Sequence, residues 1–335
     1  MKRILFILSI LVCGTAVTAQ DPNFSQFFAS PLTLNPAFTG KFDGKYRFAA
    51  NYRNQWPTIN QAFTTVTASL DWKLMQDYLS RKENSWGVGV AGMNDQSAAG
   101  AVRFSYGSLA TAYHIQMDED GRHQLSAGFQ AGYANMMINT SLLRFEDQLT
   151  SLGFTGNTSE LFNTGNLQGR YWDVNAGLLY SGSSNDQHQY YLGFSLYHVN
   201  RPQQSFLGND FRLQPRFTLH GGGYIDVGWN STLYLSALQT YQANAVQTML
   251  GGAFQLKSNP NDDRAASLYA GAWLRLKDAV IPYAAFEINN MRIGISYDVN
   301  TSSLRPASLA RGGLELSLIY IFRPEPERGI ICPKF

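Results

Sequence analysis

The sequence predicts an all-β protein: a transmembrane, antiparallel up-and-down β-barrel of about fourteen strands with an irregular N-terminal segment. Three observations favour this fold class. The chain begins with an export signal, it alternates apolar and polar residues over most of its length, and after residue 19 it has no apolar run of about 18 residues or more. Because lipid offers no partners to free backbone groups, an exported chain without a helical span is either soluble or a closed barrel.

Residues 1–19 have the organisation of a secretory signal peptide. Met1–Arg3 is basic, Ile4–Cys13 is apolar, and Val17–Ala19 supplies small residues at the positions that a signal peptidase reads. We therefore expect cleavage after Ala19 and export of the remaining chain.

Charge and cysteine content argue against nucleic-acid binding and against a fold held by disulfides. The formal charge is +2, and removal of the basic signal residues brings it close to zero, which argues against a nucleic-acid partner. Only Cys332 remains once Cys13 is removed, so no internal disulfide can form. No linker composition or charge block divides the chain, and we expect a single barrel domain.

Residues 20–44 are expected to form the irregular segment, either in the periplasm or as a plug in the barrel. Each of its three prolines fixes φ, removes a backbone donor and moves the preceding residue out of the helical region. The segment is therefore expected to be neither a long helix nor a ladder strand, but an ordered lead-in held by the rings of Phe24, Phe27, Phe28 and Phe38. Turns are expected at Asn35-Pro36 and Thr39-Gly40.

The barrel itself is expected over residues 45–322. Successive side chains of a strand face opposite sides, and the first window places the apolar Tyr46, Phe48, Ala50 and Tyr52 opposite Arg47, Asn51 and Arg53. The windows have the length of about 9–11 residues that a tilted strand needs to cross a bilayer, which favours a barrel over a secreted sandwich. The predicted strands start near Lys45, Thr64, Ser85, Ala101, Arg122, Tyr171, Gln189, Arg216, Ser231, Ala243, Ala266, Ala279, Met291 and Gly312.

The connections predict the orientation of the barrel. With the N-terminus in the periplasm, the two longest connections, Met136–Arg170 and Arg201–Pro215, face outward, as is usual for bacterial barrels. The closing strand ends on aromatic residues, its Glu315 is expected to point into the lumen, and residues 323–335 follow it as a C-terminal periplasmic tail.

Phe24-Ser25-Gln26 and Leu34-Asn35-Pro36-Ala37-Phe38-Thr39-Gly40 lie directly behind the cleavage site. This combination resembles the start of the PorP/SprF family, outer-membrane proteins of the type IX secretion and gliding machinery. Further blocks follow in the family's order and extend the resemblance over essentially the whole mature chain: Gly193–Pro202, Tyr269–Ala279, Gly294–Leu304 with Gly312–Ser317, and Cys332–Phe335.

The resemblance implies a non-enzymatic component of the type IX secretion machinery in the outer membrane. Its implied partners are a periplasmic, peptidoglycan-binding OmpA-like lipoprotein, the C-terminal domain of a secreted surface adhesin, and outer-membrane lipid. The candidate partner-binding or plug residues are Phe24, Ser25, Gln26, Phe27, Phe28, Asn35, Pro36, Phe38, Gly40, Cys332, Pro333 and Phe335. The candidate residues of the closing strand are Gly313, Glu315, Tyr320 and Phe322.

Catalysis, cofactors and metals are not expected. Ser195 and His198 are an odd number of residues apart, so on a strand they are expected to face opposite sides, whereas a nucleophile and its base must lie within about 3 Å of each other. The histidines are scattered and Cys332 has no partner ligand nearby in sequence. Carboxylates are instead expected as lumen charges, paired with arginines: Asp71, Asp173, Glu287, Asp298 and Glu315 with Arg47, Arg53, Arg103 and Arg275.

Two other functions remain open at this stage. A channel for small apolar solutes would also carry an N-terminal plug, with Phe24 and Phe38 lining the path. A purely structural barrel would produce no secretion defect when deleted.

Overall fold

The computed structural model describes residues 21–58, 63–76, 84–155, 158–159, 166–185, 188–206, 209–259, 265–303 and 305–324. The expected signal peptide, most of the expected C-terminal tail and its Cys332, Pro333 and Phe335 lie outside these residues. Within the described ranges, no helix is both long and apolar enough to cross a membrane.

Fourteen antiparallel strands form one closed barrel. The strands are β1 (Tyr46–Gln55), β2 (Phe63–Gln76), β3 (Ser85–Ser97), β4 (Val102–Gln116), β5 (His123–Asn139), β6 (Asn166–Asn185), β7 (His188–Tyr197), β8 (Arg216–Gly228), β9 (Ser231–Gln242), β10 (Ala245–Lys257), β11 (Ser267–Arg275), β12 (Ala279–Ile288), β13 (Met291–Asn300) and β14 (Arg311–Phe322). Each strand pairs with its neighbours in sequence, and β14 closes the barrel on β1 from Tyr46↔Phe322 to Gln55↔Gly313.

The remaining elements are short. One-turn helices α1 (Pro31–Leu34) and α2 (Arg305–Ser308) and five 3-10 turns lie outside the ladder; the 3-10 turns are Phe27–Ala29, Pro36–Phe38, Ala98–Gly100, Thr140–Leu142 and Glu146–Gln148. Two small hairpins, Leu149–Thr150 with Gly153–Phe154 and Gln203–Phe206 with Asn209–Arg212, lie in the two longest connections.

The two ends of the barrel differ. The two longest connections, between β5 and β6 and between β7 and β8, lie at the end to which β1 runs, which we call the loop end. The opposite end, the turn end, carries tight connections such as Asn289-Asn290 between β12 and β13. Because long connections face outward in bacterial barrels, we expect the turn end to face the periplasm.

The alternation along each strand divides apolar from polar side chains. Large apolar residues such as Leu109, Phe129 and Leu178 are exposed on the outer wall, where lipid covers them. Charged residues are buried in the lumen, as expected for Arg47, Arg53, Asp71 and Asp298. The expectation was wrong for Arg103, which is exposed and donates to the carbonyl oxygen of Gly100. The predicted all-β barrel of about fourteen strands is confirmed.

The connection between β5 and β6 is shorter than the sequence suggested. Met136 and Arg170, the expected ends of a long outer connection, lie inside strands and pair with Gly169 and Asn135. Strand β6 starts at Asn166 rather than at Tyr171. The residues added before Tyr171 include the polar Asn166, Gln168 and Arg170, whereas those added to β5, Met136–Ile138, are apolar and half-buried. Neither stretch shows a sustained alternation between apolar and polar residues, so the ladder continues beyond the windows in which hydrophobic alternation is informative.

Candidate functional site: the occupied barrel lumen

The N-terminal segment, residues 21–45, runs through the lumen from the loop end to the turn end. Asp21 contacts His198 and Arg216 near the loop end. At the other end, the backbone N–H of Lys45 donates to the carbonyl oxygen of Phe322, at the turn-end rim of β14. The segment therefore crosses the length of the barrel before it enters β1.

The start of the segment is held by an ion cluster. Nε2 of His198 lies 2.8 Å from Oδ2 of Asp21, Nδ1 of His198 lies 2.8 Å from Oδ1 of Asp173, and Nη1 of Arg216 lies 3.1 Å from Oδ2 of Asp21. Burial opposes the charged form of His198, but the two carboxylates outweigh it and raise the pKa of His198 to about 9. Burial likewise opposes the charged form of Asp21, and His198 with Arg216 reverses this effect and holds its pKa below the usual range.

Glu315 of β14 binds the next part of the segment through its backbone. Its two carboxylate oxygens accept hydrogen bonds from the N–H groups of Ser25, at 2.7 Å, and Gln26, at 2.9 Å. The Ser25 hydroxyl donates to Oδ1 of Asp298 at 2.6 Å, and Arg53 and Arg275 form ion pairs with the same carboxylate at 2.9 and 3.0 Å. Charge-assisted bonds of this kind are about twice as strong as neutral ones, so the segment is anchored at defined atoms.

Aromatic rings pack the segment against the wall. Phe28 lies 4.7 Å from the ring of Trp273 and 5.4 Å from that of Tyr283, measured between ring centroids. Phe38 packs in the same way against Tyr191 and His220. Phe24 and Phe27 are buried. These are the four rings for which the sequence predicted a seating role.

Asn35 fixes the middle of the segment. Its Oδ1 accepts from the N–H of Ala37 at 2.8 Å and caps the 3-10 turn Pro36–Phe38, while its Nδ2 donates to the carbonyl oxygens of Leu178 and Phe194 in β6 and β7. Since Asn35 is fully buried and its amide is bonded on both sides, it fixes the segment relative to these two strands.

Inward-facing glycines of the wall make room for the segment. A Cβ on Gly177 of β6 would overlap Oδ1 of Asn35, and one on Gly128 of β5 would overlap the backbone of Pro36 and Ala37. Only a residue without a side chain fits where another backbone approaches this closely. The sequence signal for this close approach is a glycine at an inward-facing position of a strand, as at Gly128 and Gly177.

The end of the segment is held by Asp71. Oδ2 of Asp71 accepts from the N–H of Gly40 at 2.7 Å, and Arg47 donates to both carboxylate oxygens, at 2.8 and 3.0 Å. Gly40 has φ +74°, a left-handed conformation that favours glycine, and its Cα lies against Gly87 of β3. The expected turn at Thr39-Gly40 therefore has a tertiary anchor that the sequence did not reveal.

The closing strand brings its candidate residues to different places. Glu315 lies in the lumen at the Ser25 contact, and Gly313 pairs with Gln55 at the loop end. At the turn end the ring of Phe322 stacks on that of Tyr46 with 4.7 Å between centroids, and Tyr320 lies beside them. These rings cover the seam at which the barrel closes.

Ser195 and His198 do not face opposite sides, contrary to the sequence-based expectation. Strand β7 ends at Tyr197, and His198 adopts a left-handed φ of +58°, so both side chains are buried on the lumen side. Their partners are separate: the Ser195 hydroxyl donates to the carbonyl oxygen of Leu34, and His198 contacts two aspartates. Among the described residues, no group of three or more His, Cys, Asp or Glu side chains is arranged to hold a metal ion.

The lumen-filling segment leaves cavities on its two sides. Toward the turn end lies a cavity of about 320 Å³ lined mainly by aromatic and aliphatic side chains, among them Phe28, Tyr234 and Trp273. Toward the loop end lies a cavity of about 350 Å³ with a more polar lining that includes Arg53, Asp95 and Arg275. The occupied lumen thus divides into an apolar chamber and a polar chamber.

A closed fourteen-strand barrel with an apolar outer wall and a charged lumen defines an outer-membrane β-barrel protein. The chain belongs to the PorP/SprF family of type IX secretion system membrane proteins, whose family model matches residues 16–320. The family places it in the outer membrane as a component of that secretion system, and the closed barrel is a fold of outer-membrane proteins.

Comparison with solved structures shows a likeness of fold. The Pseudomonas putida toluene transporter TodX superposes with a TM-score of 0.53 at 11% sequence identity, over 90% of this chain and 94% of that one. The Ralstonia pickettii toluene transporter TbuX superposes with a TM-score of 0.51 at 10% identity, over 88% of this chain and 94% of that one. No curated protein matches the sequence.

Proposed function

We propose that this protein is a non-enzymatic anchor of the type IX secretion machinery, which binds a periplasmic, peptidoglycan-binding OmpA-like lipoprotein and the C-terminal domain of a secreted adhesin. The observation that carries this proposal is the filled lumen. The segment 21–45 is bonded to the wall at Asp21, Ser25, Asn35 and Gly40, so the barrel is a rigid body whose two ends can serve as docking surfaces.

The turn end is the proposed site for the periplasmic partner. Its rim includes Asp43 and Arg323, which form an exposed ion pair at 3.3 Å, and the chain continues from Arg323 into residues 325–335. We propose these last residues, with Cys332, Pro333 and Phe335, as the partner-binding segment. The adhesin domain would dock at the loop end, where the long connections lie.

Affinity purification tests the proposal. A tag inserted beside Leu152, which is 86% exposed in a loop-end hairpin, leaves the barrel ladder untouched. We expect an OmpA-like lipoprotein to co-purify from outer membranes extracted in mild detergent, and to be lost when residues 325–335 are deleted.

A control variant separates loss of binding from loss of fold. Lys277→Gln, at an exposed position of the opposite, loop end, should retain the lipoprotein, and heat-dependent mobility on gels reports whether each barrel is folded. Retention of the lipoprotein by a folded barrel without residues 325–335 would contradict the role of the tail. Recovery of the barrel alone, from membranes that contain the other secretion components, would contradict the anchor function.

The aromatic chamber favours a second candidate function, a channel for small apolar solutes. Rings dominate the lining of the cavity of about 320 Å³, and apolar solutes would partition into it. This function requires the segment to move, since it separates the chamber from the loop end. Flux of toluene into liposomes that contain the barrel would support a channel, and absence of flux would exclude it.

A further inference from the structure

The aromatic chamber at the turn end has an unbalanced charge. Among the described residues that line it are three cations, Lys41, Arg47 and Arg292, and no carboxylate. Two of these cations are neutralised from outside the lining, Arg47 by Asp71 at 2.8 Å and Arg292 by Glu287 at 2.6 Å. The ammonium group of Lys41 is therefore the charge that distinguishes this chamber from an ordinary apolar cavity.

Lys41 contacts neutral oxygens. Its Nζ donates to the Ser181 hydroxyl at 2.8 Å and to Oε1 of Gln124, both on neighbouring strands of the wall. Burial, together with the nearby Lys73, lowers the pKa of Lys41 to about 8, so an anion beside it would relieve both effects. These two hydrogen bonds also hold the ammonium group at one side of the chamber.

The rest of the lining suits a flat apolar body. The rings of Phe28, Trp273 and Tyr283 meet at centroid distances of 4.7 to 5.4 Å and form one wall of the chamber. A volume of about 320 Å³ lies within the range of small-molecule sites, which combine an apolar lining with a few placed polar groups. One charged group in a chamber with an aromatic wall corresponds to one charged group on an apolar ligand.

A second cavity lies between the chamber and the turn-end rim. It has a volume of about 130 Å³, shares the lining residues Phe28 and Arg292 with the chamber, and includes Asn290 and Arg323 of the rim. We therefore expect a periplasmic molecule to enter from the turn end.

We propose that this chamber binds an amphipathic anion, a small molecule with an aromatic or aliphatic body and a single carboxylate. The body packs on the ring wall of Phe28, Trp273 and Tyr283, and the carboxylate accepts hydrogen bonds from Lys41. This ligand class differs from the neutral solutes of a hydrocarbon channel, and the residues proposed to hold it lie inside the lumen rather than on the rims proposed for partner docking.

Calorimetry on the full barrel in lipid nanodiscs tests this proposal, with empty nanodiscs as the blank. The probes are naphthalene-2-carboxylate and its neutral analogue naphthalene-2-methanol. We expect the carboxylate to bind at least about tenfold more tightly than the alcohol, the factor that loss of one charge-assisted hydrogen bond produces. Equal affinity of the two probes, or no binding of either, would overturn the proposal.

Two variants locate the site. Lys41→Gln retains a polar chain of similar length, and we expect it to reduce carboxylate affinity to that of the alcohol while alcohol binding stays unchanged. Lys277→Gln, at an exposed loop-end position, is the matched control and should change neither affinity. Ala253→Phe fills the chamber and should abolish binding of both probes. Unchanged carboxylate binding in Lys41→Gln, or retained binding in a folded Ala253→Phe barrel, contradicts the assigned site.

Discussion

The N–H of Ser25 donates a hydrogen bond of 2.7 Å to Oε2 of Glu315, across 290 positions of sequence. The first part of the described chain is thereby bonded to the last strand of the barrel. Because Ser25 and Glu315 are both buried, no water molecule can take the place of either partner if this hydrogen bond is lost.

Glu315→Gln should loosen the segment without opening the barrel. The substitution removes the charge that accepts from Ser25 and Gln26, and hydrogen bonds to charged groups contribute about 1.5–3 kcal/mol. We expect amide exchange of these two residues to accelerate by about tenfold or more, measured by hydrogen–deuterium exchange. Asp120→Asn, in an exposed turn, is the control, and equal protection in both variants would contradict an anchoring role for Glu315.

Gly177→Ala should displace the middle of the segment, because the new methyl group overlaps the amide oxygen of Asn35. Overpacking of this kind costs about 1–3 kcal/mol, which we expect as a lower free energy of unfolding in urea. Gly107→Ala is a matched control, since its methyl group points to the lipid side and meets nothing within 4 Å. Combination with Asn35→Ala should recover part of the loss of Gly177→Ala, and no recovery would argue against this contact.

Arg47→Gln should be the most destabilising of the single substitutions considered. It leaves the fully buried Asp71 without its charge partner, and removal of one member of a buried pair costs about 3–5 kcal/mol. The double variant Arg47→Gln with Asp71→Asn should lose less than the single variant. A larger loss in the double variant, measured by urea unfolding, would show that the Gly40 contact of Asp71 dominates instead.

The start of the segment should respond to pH through His198. A folded pKa of about 9, above the usual value of 6.5, means that the contribution of His198 to stability is full below pH 6.5 and is lost as pH rises through 9. Asp21, whose pKa lies below its usual range, keeps its charge in this window. Protection factors near Asp21 should therefore fall between pH 6.5 and 9, and His198→Gln should flatten that profile. A fall of the same size in His198→Gln would assign the effect to another group.

Most of the ladder could be predicted because a period of two is visible in local sequence. Ser85, Arg216, Ser231, Ala279 and Met291 start strands at the predicted residues. The start of β6 could not be found in this way, because the polar residues before Tyr171 extend the strand beyond the lipid zone, where no hydrophobic alternation is required.

The contents of the lumen were only partly predictable. Rings and prolines in residues 20–44 are compatible with a plug or a periplasmic segment, and the contacts that distinguish these alternatives, such as Asn35 with Leu178, join residues distant in sequence. The position of Asn35 against the wall could have been inferred in part from sequence, because Gly177 occupies an inward-facing position of a strand and leaves room there. The left-handed conformation that brings His198 into the lumen could not be inferred from sequence, since histidine does not require this conformation.

The anchor of Ser25 on β14 also sets an order of assembly. Glu315 belongs to the last strand, so the segment that is synthesised before any strand cannot complete its contacts until the final strand has joined β1. Protection of Ser25 against exchange is therefore a reporter of barrel closure, and a chain arrested before its last hairpin would leave the amides of Ser25 and Gln26 unprotected.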